Sequence, residues 1–443
     1  MPKVSIMRNG LLCLVLLWLV LPAAAATPPH WPAEVHKSSV QLHAKPDFQA
    51  PVLTTLKRNT ALTIVEQLGL WYGVQLADGK AGFLRVNEVR PLEQKSANDN
   101  ALHIFMTGKS GHGNVTETAG VRGLDESDLR AAHFNAKQLK KMESNRVSAN
   151  AAERYAQQHG WQARRIAWAD EKPKARHGDS HGVAHVLQET RGLFGRLGSA
   201  LSGGAKVASA GAGPSTAEQD QEELSLGPMI AGRVLGARPL WQNATAQHRI
   251  NVIGRWLASQ TARPDLPWTF GIIDTPEYNA FAAPGGYILV TRGLYELVDS
   301  DQELAAVLGH EITHVVQRDH YEVIRKQQMM SAAKDVISSQ INTGGGLAGS
   351  LARDYVEKNG AGILLTSLDR SAEYRADEGA EIYLARAGMD PLALYAILQK
   401  MMAVGSTSGG LVQLYKTHPA IENRLDRLDK FDLGRLQKRT RRS

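Results

Sequence analysis

Apolar positions along the chain fall into two textures. From about residue 35 to 92 they come in short runs rich in β-branched and ring residues, as in Ala61-Leu62-Thr63-Ile64-Val65 and Trp71-Tyr72-Gly73-Val74-Gln75-Leu76. Asp78-Gly79 then predicts a hairpin in which both turn positions take positive φ, with Ala81-Gly82-Phe83-Leu84 as the return strand. From about residue 225 the segments lengthen. Apolar residues from Ile250 to Leu257 recur at helical spacing. A strand-like run Phe270 to Ile273 is followed by Asn279 to Gly286 and the strand Tyr287 to Val290, and the turn residues Pro284-Gly285-Gly286 predict that these segments form a hairpin. Ser300-Asp301-Gln302-Glu303 reads as a capping box opening a helix through Leu304, Val307, Leu308, Ile312, Val315 and Val316. A second helix opens near Ser371 and stops at Gly388, before Pro391. The pattern predicts an α+β chain: a small all-β barrel followed by a mainly helical domain with a small sheet.

Other segments carry weaker signals. In 94–195, Asp125 is a candidate cap for a helix through Leu129, and Asn150 with Glu153 reads as a capping box closed by Gly160. Gly108-Lys109-Ser110 resembles the end of a phosphate loop, but His103 stands where the first glycine is needed. Residues 196–224, rich in Gly, Ala and Ser at their start, read as a flexible linker, and 225–430 as one domain. Lys3 and Arg8 precede an apolar run from Leu11 to Leu21 and the alanines Ala23 to Ala26, so residues 1–26 read as a signal peptide. The single cysteine, Cys13, lies inside that run, which rules out thiol catalysis in the mature protein. The net charge of +7 has its clearest concentration in the tail 431–443, through Arg435, Lys438, Arg439, Arg441 and Arg442. That distribution argues against nucleic acid as a partner and allows peripheral contact with anionic lipid or glycan.

The chemistry centres on His310-Glu311-Ile312-Thr313-His314. Histidines at i and i+4 share a helical face and can converge on one metal ion. Glu311, rotated about 100° from His310, stands where it can take a proton from water. Chance supplies such a pentapeptide in roughly 3% of chains of this size and composition, so the motif is suggestive alone. A catalytic zinc needs a third protein ligand and an open position. His320 follows His314 by only six residues on what reads as a continuing helix. Glu373 and Asp377 are again i and i+4 on one face: one carboxylate can complete the metal shell while the other orients a ligand imidazole.

The stretch Leu70-Trp71-Tyr72-Gly73-Val74 with Asp78 to Phe83 resembles bacterial SH3-like domains (31–93), small barrels that bind cell-wall peptides or tether enzymes. Trp71 alternatively fills the barrel interior. Asn279-Ala280-Phe281-Ala282 with Pro284-Gly285-Gly286, the HExxH at 310–314, Glu373-x-x-x-Asp377, and His418-Pro419 with Arg424 resemble the M48 (Ste24/HtpX-like) metallopeptidases, in family order over about half the chain. This resemblance implies a zincin-type (gluzincin) domain with one Zn2+ on His310, His314 and Glu373. It implies Glu311 as base, Asp377 as partner of a ligand histidine, and Asn279 at a substrate-binding edge. His418 and Arg424 would bind substrate or the oxyanion, or His418 would plug the zinc as a fourth ligand.

No run of about 20 apolar residues follows the signal, so the resemblance points to the soluble periplasmic branch. The tetratricopeptide array of some such members is not apparent after residue 430. Thr343 to Gly349 is glycine-rich, a lid or a plain linker. The expected function is a zinc endopeptidase of the cell envelope acting on misfolded or misassembled envelope proteins. The alternative is a peptidoglycan-tethered binding or chaperone-like factor whose plugged zinc site cleaves rarely.

Overall fold

The computed structural model describes residues 31–92, 126–166, 216–338, 360–365, 368–404 and 411–431. The signal segment, Gly108 to Ser110, Asp125, the glycine-rich stretch 343–349 and the tail beyond Phe431 lie outside the described residues.

Seven strands form the first unit: β1 (Trp31–Val35), β2 (Ser39–His43), β3 (Val52–Lys57), β4 (Ala61–Leu68), β5 (Trp71–Leu76), β6 (Ala81–Arg85) and β7 (Val89–Pro91), in the spatial order β3-β2-β6-β5-β4-β1-β7. Val40, Leu42, Leu62, Ile64, Tyr72, Val74 and Leu84 fill the interior, as the pleat requires of alternate residues. The β5–β6 turn departs from the expected type. Only Gly79 has positive φ (83°); its N–H reaches the Leu76 carbonyl at 3.0 Å, and Leu76 N–H reaches Lys80 O at 2.8 Å. Ala77 and Asp78 therefore make an ordinary turn, and the glycine alone takes the left-handed position.

Helices α1 (Glu126–Ala131), α2 (Ala136–Ser144) and α3 (Ala149–Gln158) follow. The N-cap of α3 is Ser148, whose hydroxyl accepts from Ala151 N–H at 3.2 Å, so the capping residue lies two positions before the expected Asn150. Helix α4 (Thr216–Ala237) corrects the linker reading: residues 216–224 are helical, and Leu226, Ile230, Ala231, Val234 and Leu235 further along are buried. The acidic start of α4 is polar because it faces arginines, with Asp220 and Glu223 paired to Arg263 and Arg318.

Helix α5 (Ala244–Ala258) covers a three-stranded sheet of β8 (Thr269–Ile273), β9 (Ala280–Ala283) and β10 (Tyr287–Thr291), ordered β8-β10-β9. β10 runs parallel to β8 and forms the expected hairpin with β9. Gly285 turns that hairpin at φ 73°, a conformation open to glycine. Side-chain amides of α5 close the outer side of β8: Gln247 exchanges two hydrogen bonds with the Ile272 backbone, and Asn251 two with Phe270. β9 is left as the outer strand on the other side.

After α6 (Arg292–Leu297) comes α7 (Asp301–Gln317), with Ser300 accepting from Glu303 N–H at 3.2 Å. The expected capping box is only half made. The Glu303 carboxylate turns to Asp299 N–H and to Lys400 instead. The helix also does not continue through His320. Arg318 takes φ 63° and ends α7; α8 (Asp319–Ser338) starts at the next residue. Helix α9 (Arg370–Arg386) crosses α7 where side chains are small: a Cβ on Gly309 would lie 3.2 Å from Ala380 Cα. Helices α10 (Leu392–Val404), α11 (Val412–Thr417) and α12 (Ile421–Lys430) complete the described chain. Among the described residues no helix is long and apolar enough to cross a membrane.

The β unit is not held at arm's length. Tyr72 Oη donates to Gln399 Oε1 at 2.8 Å, and Gln399 Nε2 donates to Val89 O at 2.6 Å, joining β5 and β7 to α10. Arg85 pairs with Asp390, and both Lys37 and Arg90 with Asp429 of α12. Trp71 sits nearly buried against His43 and Phe48, with the Arg85 guanidinium 5.4 Å from its ring.

Candidate metal centre

The α7–α9 crossing sets the site. His310 and His314 project one turn apart from α7, and Glu373 reaches them from the first turn of α9. Their Nε2 atoms lie 3.1 Å apart. Each Nδ1 faces a carboxylate: His310 to Asp377 Oδ1 at 2.9 Å and His314 to Asp319 Oδ2 at 2.8 Å. An imidazole that donates from Nδ1 presents its lone pair at Nε2, so two lone pairs converge on one point and need a shared cation. Glu373 Oε2 lies 3.6 Å from His310 Nε2 and Oε1 3.7 Å from His314 Nε2; Oε1 is buried without a hydrogen-bond partner among the described residues. His418, just after α11, bonds Glu373 Oε2 through Nδ1 at 2.5 Å, and one ligand atom from each of His310, His314, Glu373 and His418 falls within 4.8 Å of the others. Imidazole nitrogens and a carboxylate at this spacing suit a borderline divalent ion such as zinc.

The electrostatics favour positive charge at the centre. Burial and the Arg424 charge pull His310 down, but bonds to Asp377 and Glu373 outweigh them and raise it to about 9. Burial opposes ionisation of Asp377, yet Arg424 and His310 hold it down to about 2. Glu373 is likewise held below its ordinary range by His418 and His310 despite burial. A position that favours a proton on buried imidazole also favours a metal cation there.

Glu311 lines the cleft beside the histidines, together with Asn279 to Ala282 at the start of β9, His320, Leu364, Leu368 and Thr417. Asn279 is fixed by its own backbone: Ala280 N–H donates to its Oδ1 at 3.0 Å, and Thr291 Oγ1 accepts from its N–H. Arg424 corrects an expectation. It does not line the cleft but is buried behind His310, donating from Nε and Nη2 to both oxygens of Asp377 at 2.9 and 2.5 Å. There it holds the carboxylate that faces His310 Nδ1.

The sequence reading passed over Asp319 and set His320 aside. Asp319 is five residues past His314, off the helical face that periodicity predicts; only the break at Arg318 swings it back to Nδ1. His320 enters the cleft for the same reason, and burial with the neighbouring His314 pulls it down to about 3, so the ring is neutral.

Comparison with known proteins agrees with this geometry. Residues 244–432 match Peptidase family M48, and residues 38–88 match the bacterial SH3 domain. The beta-barrel assembly-enhancing protease of Escherichia coli (strain K12) is 28% identical over 210 residues, covering 46% of this chain and 42% of that protein. Its namesake in Yersinia pestis is 30% identical over 213 residues, with the same coverage. The mitochondrial metalloendopeptidase OMA1 of Schizosaccharomyces pombe is 28% identical over 167 residues, covering 38% of this chain and 47% of that protein. The chain thus spans less than half the length of each of these three relatives. Residues 244–432 form an M48 peptidase domain, and a bacterial SH3 domain lies ahead of it in the chain.

Proposed function

We propose that the chain is a zinc-dependent endopeptidase of the cell envelope that hydrolyses misfolded or misassembled envelope proteins. The observation that carries the reading is the pair of Nε2 atoms 3.1 Å apart, each imidazole backed by its own carboxylate, beside the unpartnered Glu373 oxygen. His310, His314 and Glu373 would hold a zinc ion, which would supply Lewis acidity for a carbonyl and for a water whose pKa would fall to roughly 7. Glu311 accepts the water's proton and returns it to the leaving nitrogen. The outer strand β9 begins at the cleft, so an extended substrate segment can add to the sheet there and present its backbone to Glu311. The envelope location rests on the predicted signal segment and on the relatives named for β-barrel assembly. Removing metal with a chelator should abolish cleavage of an unfolded protein substrate, and one equivalent of zinc should restore it. Cleavage that survives metal removal would sink the reading.

One contact favours a second state of the same site. His418 bonds Glu373 and completes a four-residue cluster, which leaves no open position while it stays. In this reading His418 restrains the resting enzyme, and the protein in that state acts as a binding factor, with its SH3 domain free to contact peptidoglycan on the surface not packed against α10 and α12. His418→Ala is expected to raise basal hydrolysis severalfold at unchanged zinc content. A fall in turnover would instead give His418 a direct part in the chemistry.

A further inference from the structure

Three imidazoles line the cleft: His314, His320 and His418. Two are committed, His314 through Nδ1 to Asp319 and His418 through Nδ1 to Glu373. The Nδ1 of His320 is buried with no hydrogen-bond partner among the described residues, and its ring meets His314 edge-on with centroids 5.8 Å apart. A polar nitrogen left this way inside a protein is unfavourable by roughly 1–3 kcal/mol, and buried N–H groups without a partner are rarer than buried acceptors without one. The less unfavourable tautomer leaves a bare lone pair at Nδ1 and puts the hydrogen on Nε2.

The ring is also held in place. Asp220 and Glu223 of α4 grip Arg318, the residue at which α7 breaks, and Arg263 donates to the Val315 carbonyl at 3.0 Å on the same turn. That turn delivers Asp319 to His314 and His320 to the cleft. Two other candidate donors are engaged elsewhere: Arg424 on Asp377, and the Thr417 hydroxyl on the Leu414 carbonyl.

We propose that His320 is a catalytic residue of this cleft, donating a hydrogen bond from Nε2 to the scissile carbonyl oxygen as that oxygen gains negative charge. The proposal rests on the hydrolytic reading above. No proton is transferred; the hydrogen bond strengthens as charge develops, so its effect falls on the transition state more than on substrate binding.

Zinc-loaded His320→Leu and His320→Gln test it, alongside wild type and Glu311→Gln. The leucine variant should keep wild-type zinc content and thermal midpoint and lose about 10²–10³-fold in kcat/KM, with kcat falling more than KM rises. The glutamine variant, which retains an N–H donor, should recover part of that loss. A phosphinic peptide that imitates the tetrahedral intermediate should bind the leucine variant at least about tenfold more weakly than wild type, whether or not a protein substrate is cut. Wild-type turnover in His320→Leu, or unchanged phosphinate affinity, overturns the proposal. So does loss of zinc in that variant, because the ring would then serve only to support His314. Zinc-loaded wild type that cuts no unfolded protein would sink the hydrolytic reading instead, and phosphinate affinity would still decide the role of His320.

Discussion

Glu311→Gln is expected to lose about 10²–10⁴-fold in kcat while keeping one zinc per chain and the wild-type fold. The substitution preserves size and removes the capacity to take a proton. Glu311 contributes none of the four clustered donor atoms, which belong to His310, His314, Glu373 and His418, so the metal shell should not register the change. The side chain lines the cleft, on the helix that carries both histidines, which is where a base for the attacking water must stand. Zinc content by atomic absorption and turnover of an unfolded protein, measured on one preparation, check both halves. Wild-type turnover would remove Glu311 from the chemistry, and zinc loss would mean that the carboxylate holds metal.

Asp377→Ala should have the largest effect on stability. It strands the Arg424 guanidinium, buried with both of its Asp377 contacts gone, and such a group cannot escape by deprotonation. Breaking a buried pair on one side costs about 3–5 kcal/mol. In a domain of this size that lowers the thermal midpoint by roughly 10 °C. The same change frees His310 Nδ1 from its carboxylate, which should weaken zinc about 10–100-fold. The two consequences separate in Asp377→Ala with Arg424→Met: most of the melting loss should return, and zinc affinity should not. Calorimetry and zinc competition against a chelator read them independently. A single variant that melts like wild type would contradict the buried ion pair.

Much of this was legible in the chain because local rules and chemistry coincide there. The i, i+4 histidines on an apolar-periodic helix, and the second carboxylate pair at Glu373 and Asp377, needed only helical geometry to be placed on faces. That the two faces meet needed the small residues at the crossing, Gly309 against Ala380, which no periodicity announces. Asp319 was passed over and His320 set on a continuing helix because a single left-handed residue, Arg318, resets the register, and arginine gives no sign of it; its partners lie 98 and 95 residues away by number, on α4. The same α4 residues were misread as linker because polar side chains facing arginines look solvated in sequence. Arg424 came in with the family motif as a contact for substrate or oxyanion, and the anion it meets in the structure is the buried Asp377.

The short helix α12 has one end in each of two neighbourhoods. Arg424 near its start holds Asp377 behind the metal ligands, and Asp429 near its end receives Lys37, Arg90 and His36 from the SH3 domain. At 1.5 Å per residue those anchor points are about 7.5 Å apart along the axis. The barrel's Tyr72 and Arg90 flank is therefore occupied by its own enzyme. Val52 and Leu53 of the outer strand β3 remain exposed. The barrel works as a brace.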